Sequence, residues 1–258
     1  MKNGGKLFLS GRSGLSGDKK GFIFDIGANW HGASEYELDY VLPCQEYRPS
    51  FVDSPLVMYI PSQRIKVTSG QSLGHVYDPY FNRTGEHFCS HQHAPARPEP
   101  SGFDCGVRKG NILYLAHPVF SIYRYLGAVA YKEYIIKALR SLLGSRTIEV
   151  NLLSTGRVSL MNQKRHERYI LHLLSANTIS RGGAMESLST TVFKGVRNVE
   201  IIEEFLPLYD IKVSLKIPEK IKSVTCVPKG HRLGFSTNGD RVEFVLPEFR
   251  CHQMIELK

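Results

Sequence analysis

No stretch of the sequence approaches the roughly 18 to 20 consecutive apolar residues that a membrane helix needs. The opening MKNGGKLFLSG carries a lysine, but its apolar stretch is too short for a signal peptide. Cysteine is sparse and scattered: Cys44, Cys89, Cys105, Cys226 and Cys251 contain no CxxC pair, which argues against a zinc ribbon and a disulfide framework alike. Mostly buried free thiols in a reducing compartment are expected, and with them a cytoplasmic location without an export signal. The glycines of the first loop, Gly11, Gly14, Gly17 and Gly21, fit neither dinucleotide-binding nor P-loop spacing, so a surface turn is expected there and no cofactor is called for.

What is present is the composition of a globular protein: 258 residues, 42% hydrophobic and 22% charged. The formal net charge of +9 raises the question of nucleic acid. The basic residues, however, alternate with apolar ones. In DIKVSLKIPEKIKSV, Ile211, Val213, Leu215 and Ile217 share one face and Lys212, Ser214 and Lys216 the other, the pattern of a half-buried strand with a solvated lysine face. The densest cluster, QKRHER at 163–168, has a glutamate inside it and no aromatic platform beside it. Neither nucleic acid nor a membrane is an expected partner.

Two regions differ in pattern. In the first, KLFLS reads as a buried strand after the Gly4–Gly5 pair, and residues 25–110 read as loop-rich with short strands such as PLVMYI and RIKVTSG. NILYLA is a continuous apolar run, as in a parallel strand covered on both faces. Beyond His117–Pro118, apolar residues at Ile122, Leu126, Val129, Ile136, Leu139 and Leu143 predict one amphipathic helix with Gly144 as its cap. After Gly144 come short strands at roughly 8 to 12-residue spacing, the signature of a β-sandwich. Asn238–Gly239–Asp240 reads as a hairpin turn, and 182–197 as a longer loop between strands.

Chemistry-bearing groups are few. The stretch HFCSHQH brings His87, Cys89, His91 and His93 within seven positions, and alternation along an extended chain places all four on one side. Such crowding cannot easily make the tetrahedron of a structural zinc site, which draws on separated pairs, so no metal is assigned. The long 78–104 segment around it suits contact with a ligand or another subunit. His87, His91 and His93 are therefore the substrate- or subunit-contact candidates. A Cys89–histidine dyad lacks a nucleophile-elbow pattern, and His117 reads as a histidine capping a strand end. The carboxylate pair Glu203–Glu204, if on a strand, points to opposite faces and cannot flank a sugar. No catalytic residue is assigned.

The order of segments NGGKLFLSGRSGL, GNILYLAHPVFSIYRYLGAVAYKEYIIKALRSLL, RYILHLLSA, FLPLYDIKVSLKIPEKIKSVTCVPKGHRL and VEFVLPEFRCHQMIEL resembles the C-terminal part of glycoside hydrolases that carry a beta-galactosidase trimerisation domain, beta-galactosidases and alpha-L-fucosidase-like enzymes among them. The resemblance implies an α/β plus all-β chain. Residues 1–145 would form a partial flavodoxin-like (class I glutamine amidotransferase-like) domain, and 146–258 a small antiparallel β-sandwich. It implies that the catalytic carboxylates belong to a TIM barrel that precedes this region, and that the chain begins inside a domain. The function expected is that of a non-catalytic assembly or accessory region, with a free-standing carbohydrate- or metal-binding module as the alternative. The implied partners are further copies of the chain in a homo-oligomer, a TIM-barrel catalytic domain or chain, and carbohydrate.

Overall fold

The computed structural model describes residues 4–18, 20–181 and 199–258. The loop expected over 182–197 lies outside the described residues. The chain divides into two compact units, residues 1–145 and 146–258.

In the first unit nine short strands precede two helices: β1 (Leu7–Ser10), β2 (Ala28–Ala33), β3 (Asp39–Pro43), β4 (Leu56–Met58), β5 (Gln63–Val67), β6 (Gln71–Ser72), β7 (Gly74–Tyr77), β8 (Gly106–Lys109), β9 (Ile112–Leu115), α1 (Val119–Leu126) and α2 (Val129–Leu143). They form three small sheets, ordered β1-β9-β8-β6, β2-β5 and β4-β3-β7. The flavodoxin-like expectation is overturned. Strand accounts for 43% of the structure and helix for 11%, in two helices among the described residues. A doubly wound sheet needs a helix between successive parallel strands. Among the described residues only β1 and β9 run parallel, the neighbouring β8 runs antiparallel to β9, and strands and loops fill the connection from β1 to β9.

The physical reason lies in β9. Its apolar run is covered on both faces, as the sequence suggested, but the covers differ. Leu113 and Leu115 pack with Val119, Ile122, Tyr134 and Ala138 of the helices. Tyr114 and Ala116, on the opposite face, pack with Ile26, Ile65 and Val107, so a β layer rather than a second helical layer seals that side.

The single helix expected after Pro118 is two. Gly127 donates its N–H to Tyr123 O and ends α1 in the left-handed conformation, which glycine adopts without strain. The buried stripe of α2 is Tyr131, Tyr134, Ile135, Ala138 and Leu142, the spacing of one helical face. It leaves Leu126, Val129 and Leu143 exposed, contrary to the expected face. Gly144 does follow the last turn, its N–H bonded to Arg140 O.

The second unit is a β-sandwich. Its strands are β10 (Ile148–Val150), β11 (Arg157–Gln163), β12 (Arg168–Ser175), β13 (Ile179–Arg181), β14 (Val199–Ile201), β15 (Leu208–Lys216), β16 (Val224–Val227), β17 (His231–Leu233), β18 (Phe235–Asn238), β19 (Arg241–Phe249) and β20 (Cys251–Leu257). One sheet has the order β10-β15-β19-β18 and the other β11-β12-β20-β16-β17; β13 and β14 pair separately. Ile211, Val213 and Leu215 face inward, with Val242, Phe244 and Leu246 from β19 and Leu171, Leu173, Ile255 and Leu257 from the facing sheet. Side chains of this size each contribute roughly 1.5–3 kcal/mol on burial. The hairpin at Gly239–Asp240 is present, with Gly239 in the left-handed region between the paired Asn238 and Arg241. All five cysteines are free, but contrary to the expectation of mostly buried thiols only Cys105 and Cys226 are buried; Cys89 and Cys251 are partly buried and Cys44 is exposed.

Candidate functional site

The 78–104 segment is anchored at its base by polar contacts. Asp78 accepts a 2.5 Å hydrogen bond from Arg64, and its backbone carbonyl accepts from the Arg97 N–H. Tyr80 N–H bonds to Pro95 O, Pro79 bridges Ala96, and Ser101 returns the chain to Val76. Asn82 holds the 35–37 segment from both sides: its Oδ1 accepts Glu37 N–H at 2.9 Å and its amide donates to Glu35 O at 3.0 Å. Asn82 opens an Asn-x-Thr tripeptide, Asn82–Arg83–Thr84, and its side chain thus has a structural use.

Within the loop the four HFCSHQH side chains do not converge. Bends at 85–87 and 90–93 break the extended geometry on which alternation depends. His87 is exposed and stacks on Phe81, ring centroids 3.8 Å apart. Cys89 turns its thiol toward the carbonyls of His91 and His93. His91 is exposed. His93 is half-buried beside Tyr40 and Tyr59, edge-on to the latter at 5.5 Å, and its Nδ1 has no partner among the described residues. Tyr40 OH donates to Ala94 O at 2.5 Å, and burial, then Tyr59 and Cys89, push its pKa to about 12. Among the described residues no group of three or more His, Cys, Asp or Glu side chains is placed to hold a metal ion.

Below the loop lies a charged cluster that sequence reasoning missed. Asp39, fully buried on β3, accepts from Ser62 Oγ at 2.6 Å, faces His117 Nε2 and lies 3.6 Å from Arg64 Nη2. Burial raises the Asp39 pKa, but His117, Ser62 and Arg64 outweigh that and hold it below the usual carboxylate value. Arg64 is 5% exposed, lies over the Phe103 ring at 5.3 Å and links Asp39 to Asp78. Serine, aspartate and histidine are all present, yet the carboxylate sits in the middle. A hydrolytic triad needs histidine between the other two, so that it can take the serine proton. Here Ser62 and His117 each face Asp39, and all three are buried. The cluster is a clamp joining β3, β5 and the end of β9. The signal for it was an aspartate in ELDYVLP and an arginine in SQRIKV, since a charge inside a buried strand implies a partner.

Glu203 lies just past β14 rather than on a strand and is paired bidentately with Arg181. Another pair of carboxylates shares one face. Glu149, Ser214 and Glu243 stand in one row across β10, β15 and β19. The two glutamates are therefore two strand spacings apart, about 10 Å between backbones. Glu149 pairs with Arg146 and Arg241, and Glu243 accepts from Ser214 Oγ at 3.0 Å. They line an open hollow of about 720 Å³ on the sheet surface.

No protein-family model matches the chain. No curated protein sequence matches it either. Among solved structures it is similar to the alpha-L-fucosidase isoenzyme 2 from Paenibacillus thiaminolyticus, with 35% sequence identity and a TM-score of 0.89 over 99% of this chain and 37% of that one. A beta-galactosidase from a species of Rahnella matches at 10% identity and a TM-score of 0.45, over 98% of this chain and 28% of that one. The chain thus spans little more than a third of the fucosidase's length. The resemblance to glycoside hydrolases of the alpha-L-fucosidase kind extends along almost the whole of this chain.

Proposed function

We propose that this chain is a non-catalytic accessory and assembly region of a glycoside hydrolase of the alpha-L-fucosidase or beta-galactosidase kind, working with catalytic carboxylates on a TIM-barrel domain or chain. The observation that carries the reading is the coverage: 99% of this chain corresponds to 37% of the fucosidase. The state of the carboxylates supports it. A glycosidase holds two carboxyl groups across a bound sugar; here Asp39 is locked in a buried clamp, and Glu149 and Glu243 are engaged by their own sheet on an open surface.

An assembly role is supported by an apolar face on the first unit. Phe120, Tyr125, Leu126 and Val129 are 48%, 78%, 47% and 54% exposed around the α1–α2 junction. Clustered exposed apolar side chains of this kind mark interaction surfaces. The 78–104 loop supplies a second contact element: His87 and His91 are exposed, as are Tyr80 and Phe88, and they suit a neighbouring subunit or sugar.

The test is to mix the purified chain with its barrel and measure association and activity. The reading predicts a stable complex that hydrolyses an aryl glycoside, weakened by Tyr125→Ser together with Val129→Ser. Failure to associate, or a complex indifferent to those changes, counts against the α1–α2 face as the contact.

A further inference from the structure

We propose that the cavity beside Trp30 in the first unit is a binding site for the carboxylate-bearing ring of an acidic sugar. This site stands apart from the assembly role, because it is complete within residues 12–63 and is read out on the chain alone.

The cavity has a volume of about 460 Å³. That size suits a single small-molecule ring. It is built by a departure from regular pairing. On a strand, residues three apart point to opposite faces. Between β2 and β5 the register slips between Trp30 and Ala33, and Gly32 there takes a positive φ. The bulge lets both Trp30 and Ala33 line the cavity. Bulges that re-aim side chains in this way recur beside functional sites.

Gln63 forms the floor. It is 8% exposed, its backbone N–H bonds to Ala116 O, and its Oε1 accepts the Trp30 indole N–H at 3.1 Å. That bond orients both groups. The indole ring is left as an apolar wall, and across the cavity Ser16 Oγ is buried with no hydrogen-bond partner among the described residues. A buried hydroxyl without a partner is costly unless water or a ligand bonds to it.

The opposite wall is the glycine-rich loop, whose Arg12, Leu15 and Ser16 line the cavity. It is not a phosphate cradle, because Ser13, Leu15 and Ser16 N–H groups are spent on Ser10, Arg12 and Gly21 carbonyls. It is nevertheless well fixed. Gly11 N–H bonds to Leu115 O, Tyr114 OH donates to Gly11 O at 2.6 Å, and Ile23 N–H bonds to Gly14 O. Arg12 is exposed and forms no ion pair among the described residues.

Among the lining residues there is one cation and no Asp or Glu, so the charge of the cavity favours an anion. A neutral sugar offers no charged partner to Arg12. A hexuronate places a carboxylate on the planar guanidinium of Arg12, which suits bidentate pairing. Its remaining oxygens accept from Gln63, and its C–H face lies on the indole.

Trp30 is the one tryptophan in the sequence, so intrinsic tryptophan fluorescence reports on this cavity directly. Titrating the full chain with glucuronate or galacturonate is expected to give a saturable change, with glucose and galactose binding at least about tenfold more weakly. Arg12→Ala, a change at an exposed loop position, is expected to weaken uronate binding by about tenfold or more with the circular dichroism spectrum unchanged. No saturable change, equal binding of neutral sugars, an equal response to acetate, or uronate binding undiminished in Arg12→Ala would each overturn the proposal.

Discussion

The two units are stabilised in different ways. The sandwich has one continuous apolar core, and its strands alternate inward and outward residues in the familiar two-residue period. Its charges lie outside, as with Lys216–Asp240 and Arg168–Glu256. The first unit divides its apolar residues between two clusters on either side of β9 and places ionisable groups inside: Asp39, Arg64 and His117 are all buried. Local pattern specifies the one; long-range polar pairing specifies the other.

The largest effect that would sharpen this contrast is expected from Asp39→Ala. Removing one member of a buried ionic cluster strands the others, at a cost on the order of 4 kcal/mol. Hydrogen exchange should show the loss in residues 1–145 and leave 146–258 protected. Equal loss in both units would break the comparison.

Acid should act on the same cluster. The folded-state pKa of Asp39 lies below the unfolded value of 3.8. Its contribution is therefore fully present above that value and is lost as pH falls through the folded pKa. Unfolding monitored between pH 5 and pH 2 is expected to begin in the first unit. In Asp39→Ala that acid step should be absent.

Leu171→Ala is the matching change in the sandwich. Leu171 is fully buried, and its truncation is expected to cost about 3 kcal/mol. The stability of the second unit should fall with almost no dependence on pH, measured by denaturant titration at pH 4 and pH 7.

A smaller effect belongs to the loop. Tyr40→Phe removes the hydroxyl that holds Ala94 O, at a cost of about 1 kcal/mol. The expected sign is faster limited proteolysis between His87 and Ala94, with the clamp at Asp39 undisturbed.

The same contrast explains what could be read in advance. β11 as RVSLMNQ, the lysine-faced β15 and the turn at Gly239 follow from period, propensity and turn chemistry within a few residues of chain. The first unit defeats such reading. NILYLA announces a strand covered on both faces, but whether a helix or a sheet covers it depends on Ile26 and Ile65, far away in sequence. The helix after Pro118 was legible as helix, while its inward face shifted because Gly127 divides it. The histidines of 87–93 were legible as a loop; their divergence follows from bends that no alternation rule contains. The Asp39 clamp and the Trp30 cavity were hidden for a related reason. Each joins residues that only pairing among β2, β3, β5 and β9 brings together, and a bulge at Gly32 leaves no mark on composition.

The central claim, that this chain carries no glycosidase centre of its own, is tested most directly by assaying the purified chain with an aryl alpha-L-fucoside and an aryl beta-galactoside. No hydrolysis above the uncatalysed rate is predicted. Turnover by the pure chain that disappears in Glu149→Gln or Glu243→Gln would contradict the account and place catalysis on the open face of the sandwich.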